Sequence, residues 1–269
     1  MKHVLAQASA VFLSIILASS AFAQDTAQQA LDANDVSAAA KLLAAQSASD
    51  DAETAVSGLC GEAQIAMESG NYNRASELLK KAEEKDLKKK SGWIAVIQWL
   101  KADLARRQGN HDLYVSGLRN VKKVIKSGAK VENDWKATID YLLCLETKDN
   151  SDARDFAEDA IDGFHSVQMY DEEALAHLRL AELEWQRNKQ KRAIKEYESA
   201  LEAYDNSKRS DAVLHIAEIQ VQLIGRLLEM NEMKDAKAQL AKASKYMEAA
   251  GNPPELMEKM NEFQSKLGE

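Results

Sequence analysis

The sequence predicts an all-α chain, a solenoid of about six antiparallel helix pairs closed by a C-terminal capping helix. Three observations carry this. Only 2 prolines and 11 glycines occur in 269 residues, too few for the many turns of a β-sandwich or barrel. Short polar turns recur in order at Asn34, Gly70, Gly109, Lys148, Asn188 and Asn231, in steps of 36, 39, 39, 40 and 43 residues, the spacing of helical repeats. After each turn comes a stripe at helical spacing: Ala39/Leu43, Ala75/Leu79/Ala82, Tyr114/Leu118/Val121, Ala153/Ala157/Ala160, Ala193/Tyr197/Ala200 and Ala236/Leu240/Ala243. Steps of four and three put each set on one helical face, and its small alanines let a neighbouring helix come close.

The chain opens on a different pattern. Lys2 precedes a mostly apolar stretch from Ala6 to Ala18, and Ala21-Phe22-Ala23 stands before Gln24. That is the order of a secretory signal peptide over 1–23, with cleavage after Ala23 and export to the periplasm of a Gram-negative source. An uncleaved N-terminal anchor is the alternative; no cysteine lies at the cleavage region to carry a lipid. The repeat array then occupies 24–252. Gly251-Asn252 ends its last helix, Pro253-Pro254 starts another, and Leu256, Met260, Phe263 and Leu267 form one apolar stripe over 253–269. A solenoid needs such a helix to cover its open end; membrane-surface or partner docking is the rival reading of this amphipathic segment.

The best copy of the repeat runs from Leu180-Ala181 through Ala193-Ile194-x-x-Tyr197-x-x-Ala200-Leu201, and Gly70-Asn71-Tyr72-x-x-Ala75 repeats its turn. These residues resemble the tetratricopeptide repeat, whose second helix carries a small residue, an aromatic four positions later, and a further small residue. The other copies are degenerate, most lack the family's first-helix Trp, Leu, Gly and Tyr, and the closing proline is almost everywhere missing. The resemblance covers about residues 25–252 and implies a right-handed α-solenoid.

Catalytic motifs are missing. There is no glycine-rich phosphate loop, G-x-S-x-G, H-E-x-x-H or C-x-x-C, so no active site, cofactor or enzymatic activity is expected. Glu173/His177 and His215/Glu218 are spaced for two metal ligands but lack a third, so no metal is expected. Export permits a disulfide between Cys60 and Cys144. They fall on first helices two repeats apart, however, about 20 Å at the usual helix spacing, and a disulfide needs Cα atoms within about 7 Å. Two buried free thiols are therefore predicted.

The formal net charge of −8 hides a pattern. Residues 74–130 hold 15 basic and 6 acidic residues, including Lys80, Lys81, Lys88, Lys89, Lys90, Arg106, Arg107, Lys122, Lys123 and Lys126, while both flanking segments are acidic. One reading is capture of an acidic segment or anionic envelope surface; the other is a solvated face. An exported acidic chain without an aromatic and basic platform is not expected to bind nucleic acid.

In the tetratricopeptide family the first helices line a concave groove that holds peptides. The resemblance places Gln64, Met67, Trp99, Asp103, Arg106, Trp135, Glu182 and Trp185 on that surface. Tryptophan and arginine dominate interaction hot spots, although each of these tryptophans fits the core equally well. The Lys and Asn pattern with which some members clamp a C-terminal carboxylate is missing. The expected function is an exported, non-enzymatic scaffold or adaptor that binds a protein or peptide partner. The alternatives are a small-molecule or metal-binding periplasmic protein and a non-catalytic regulatory subunit of an envelope enzyme complex.

Overall fold

A computed structural model describes residues 35–86, 92–207, 209 and 212–268. The expected signal peptide, the turn at Asn34, the helix expected before it, and Lys88, Lys89 and Lys90 lie outside these residues. All regular structure among the described residues is helical, as the composition requires. The helices are α1 (Val36–Ser47), α2 (Ala52–Glu68), α3 (Tyr72–Lys85), α4 (Gly92–Arg107), α5 (His111–Lys126), α6 (Asn133–Glu146), α7 (Asn150–Ser166), α8 (Tyr170–Gln186), α9 (Gln190–Asn206), α10 (Ala212–Glu229), α11 (Met233–Ala249) and α12 (Pro254–Leu267). Short turns join α2 to α3, α4 to α5, α6 to α7, α8 to α9 and α10 to α11, five pairs in which α2, α4, α6, α8 and α10 come first. By the repeat register α1 is the second helix of a pair, and it packs on α2.

The turns are built alike. At Gly70, Gly109, Asn188 and Asn231 the backbone is left-handed, with φ of 72°, 75°, 57° and 61°. Each such residue donates its N–H to a carbonyl three back, and the next residue donates to one five back: Asn71 to Ala66 at 2.8 Å, Asn110 to Ala105 at 2.9 Å, Lys189 to Glu184 at 2.8 Å and Glu232 to Leu227 at 2.9 Å. These are the paired bonds that close a helix through a left-handed residue. The side-chain oxygens of Asn71 and Asn110 then accept from the N–H of Arg74 and Leu113, starting the second helix. The turn at Lys148 works differently. Asp149 caps α7 by accepting from Ser151 and Asp152 at 2.8 and 3.0 Å, and these bonds hold its carboxyl below the ordinary range. Its contribution is present at neutral pH and disappears as the pH falls through that lowered value.

Asn188 tolerates its left-handed backbone less well than glycine would. Asn188→Gly is expected to stabilise the chain by about 0.5 kcal/mol, read as a higher urea midpoint; an unchanged or lower midpoint would show that the Asn side chain itself supports the turn.

The helices form two compact units that divide between Glu132 and Asn133. The repeat spacing gives no sign of this division, which falls between one pair and the next. In both units every residue of the second-helix stripes named from the sequence is buried. Close approach depends on small residues at the crossings. A Cβ added to Gly117 of α5 would stand 2.6 Å from the Ala102 Cβ of α4. In the second unit one at Gly163 of α7 would stand 2.7 Å from the Ala137 Cβ of α6. The core over α8–α12 includes Tyr197, Ile216, Leu223, Ile224, Leu227 and Leu240. Against it α12 buries Met260 and Leu267 and half-buries Leu256 and Phe263, packing on α10 and α11 as the capping reading requires. Pro254 stands in its first turn, and Gly268, at φ 73°, closes it.

Candidate interaction surface

In the first unit the proposed surface residues sit on α2 and α4. Gln64 is half-buried, while Met67 and Trp99 are buried and pack as core. Asp103 is also buried, at 6% exposure, and its carboxylate is fully engaged. One oxygen accepts from Arg106 Nε and Nη2 at 2.8 and 2.6 Å, and the other from Arg107 Nε at 2.7 Å. Arg107 Nη2 reaches Glu68 of α2 at 2.6 Å. Burial opposes the charge of Arg107, but its bonds to Glu68 and Asp103 outweigh this and raise its pKa. The cluster ties the ends of α2 and α4 together and commits Arg106 to an internal partner.

In the second unit Trp135, on α6, is 1% exposed and belongs to the core. The expectation of a surface built from three tryptophans is corrected by this burial: Trp99 and Trp135, 4% and 1% exposed, take the core place that each fitted equally well. Trp185 alone of the three is partly open. It lies on α8, and the Arg226 guanidinium of α10 sits 4.5 Å from its ring centroid. Burial opposes the charge of Arg226, yet bonds to Tyr197 and Glu229 raise its pKa. Glu182, one turn before Trp185, is exposed and accepts from Arg179 at 3.1 Å. Along α8 the residues left open or half-open include Glu172, Leu175, Arg179, Glu182 and Gln186, in steps of three and four; along α10 they include Leu214, Glu218, Gln222, Arg226 and Glu229. Each set is one helical face.

Neither cysteine is exposed, and two of the histidines bridge neighbouring helices. Cys60 and Cys144 are free and buried; burial, with Asp86 adding, pushes the Cys60 thiol up, and burial pushes Cys144 up to about 11. Both are inert as nucleophiles at neutral pH. His165 joins α7 to α8 through Glu173, with Nδ1 to Oε1 at 2.9 Å, and His177 joins α8 to α9 through Glu196 at 2.8 Å. Among the described residues no three His, Cys, Asp or Glu side chains are placed to hold a metal ion, and no helix is long and apolar enough to cross a membrane.

The same helix-pair architecture occurs in solved structures. BtubC (BKLC) from P. vanneervenii aligns with a TM-score of 0.57 and 19% identity over 90% of this chain and 93% of that one. A putative kinesin light chain from Podosopora anserina with TPR-like repeats gives 0.53 and 13%, over 72% and 95%. A chain in the structure of Naa15/Naa10 bound to HypK-THB gives 0.51 and 14%, over 91% and 34%. The chain has a tetratricopeptide-repeat-like fold. No protein-family model and no curated protein matches its sequence. Arg226 and Glu172 were missed from the sequence, and Glu218 was noted there only beside His215 as a possible metal ligand. Only the open stripe of α10, read beside that of α8, singles them out, and that needs the helix faces to be known.

Proposed function

We propose that the chain is an exported, non-enzymatic scaffold or adaptor that docks a protein or peptide segment on the open faces of α8 and α10, centred on Trp185. The carrying observation is the stacking of Arg226 on a partly open Trp185. It joins the first helices of two successive pairs and presents an aromatic and a cationic side chain together, the types that concentrate binding energy. Stacked helix pairs offer a long preformed face, suited to an extended segment and poor at enclosing reactants from water. A protein assembly, Naa15/Naa10 bound to HypK-THB, contains a chain of similar fold. The leader pattern ending Ala21-Phe22-Ala23 supports export to the periplasm.

The test uses protein expressed with its leader in a Gram-negative host. The purified chain should begin at or near Gln24 by intact mass, and as bait in envelope extract it should recover a reproducible protein that Trp185→Ala loses. Retention of residues 1–23 would contradict export. Failure to recover any protein, together with a large rise in melting temperature on adding a small ligand or metal, would favour a small-molecule-binding function instead.

A further inference from the structure

We propose that the segment docked on α8 and α10 is basic and extended, with lysine or arginine side chains over Glu172 and Glu218 and an apolar side chain beside Trp185 about six residues away. The inference rests on the docking face proposed above and adds the chemistry of its occupant. Four carboxylates lie on the two open stripes, at Glu172, Glu182, Glu218 and Glu229. Two are already neutralised: Glu182 by Arg179 at 3.1 Å and Glu229 by Arg226 at 3.0 Å. Among the described residues Glu218 pairs only with the His215 ring, at 3.2 Å, and Glu172 is in no ion pair, although the Arg209 charge acts on it.

Those two carboxylates, one per helix, act on the same place. The Tyr204 hydroxyl is pushed up first by burial and then by Asp171, Glu172 and Glu218 together; the Tyr204 ring stacks on His215 at 5.2 Å. Asp171 is engaged by Arg209 at 3.2 Å. Glu172 is itself raised by burial, with Asp171 adding like-charge repulsion, and its own backbone N–H and the Arg209 charge offset this only in part. A partner's cation would relieve that cost, while a partner's carboxylate would add to it. Charge complementarity therefore selects a basic occupant. From Glu172 to Trp185 is 13 residues of α8, about 20 Å at 1.5 Å per residue, which about six residues of extended chain span. That fixes the spacing between the basic and apolar anchors.

The test is fluorescence anisotropy on the full chain with a labelled peptide of Ser and Thr carrying two adjacent lysines and a leucine about six residues on. The same peptide with Glu for Lys serves as comparison. The lysine peptide should bind, and Glu172→Gln with Glu218→Gln should weaken it about tenfold. Removing two exposed carboxylates from the outer side of α9, by Glu198→Gln with Glu202→Gln, should change it less than about twofold. Equal losses from the two pairs, tighter binding of the glutamate peptide, or no binding of the lysine peptide would each overturn the proposal. If a peptide binds and Trp185→Ala leaves its affinity unchanged, the docking face itself is wrong, and the choice of charge falls with it.

Discussion

Trp135→Ala is expected to cost about 3–5 kcal/mol of stability, while Trp185→Ala costs less than about 1 kcal/mol. The residues are chemically identical and both lie on first helices, so the difference comes wholly from their surroundings. Trp135 is 1% exposed, and truncation to alanine leaves a large cavity that helices already held at short distance by Ala137 and Gly163 cannot close. Trp185 keeps part of its ring in solvent and loses mainly its contact with Arg226. Urea unfolding followed by circular dichroism at 222 nm checks both. Equal losses would mean that Trp185 is a packing residue and would remove the basis for its role in docking.

Gly58→Val is the second large effect. An added Cβ at Gly58 would collide with the Ser47 N–H nitrogen and lie 2.7 Å from the Leu43 carbonyl oxygen. Both are backbone atoms at the end of α1 and have no rotamer to retreat into. Relief requires α1 to move off α2, exposing Leu43 and Ala39, which are now buried. The expected cost is about 3 kcal/mol or more, with α1 the first segment to lose amide protection in hydrogen exchange. Gly58→Ala should show the same pattern, weaker. Retained protection across α1 would mean that the crossing is looser than these distances.

The second helices were legible from sequence because their packing rule is local. A small residue every three or four positions is what a closely apposed helix demands, and Ala153, Ala157 and Ala160 or Ala193 and Ala200 could serve little else. The left-handed turns at Gly70 and Gly109 were legible for the same reason, and Asn188 and Asn231 fill the same backbone position. The first helices were less so. Trp99, Trp135 and Trp185 all lie on first helices, and no local pattern encodes whether each is covered. Asp103 illustrates the same difficulty: its residue type suggests a surface, yet Arg106 and Arg107 neutralise it inside the fold. The turn at Lys148 was placed correctly although its mechanism, the Asp149 cap, differs from the others. The division after Glu132 has no signature in the repeat length.

The most direct measurement of the docking face is site-specific photo-crosslinking in envelope extract. A photoreactive phenylalanine analogue is placed at Glu182 or Gln222 on the open face, and at Glu198 on the outer side of α9. One protein is expected to crosslink from positions 182 and 222 but not from 198, and Trp185→Ala to abolish the adduct. Crosslinks to that protein from 198 alone, or from 182 and 222 with no dependence on Trp185, would contradict this.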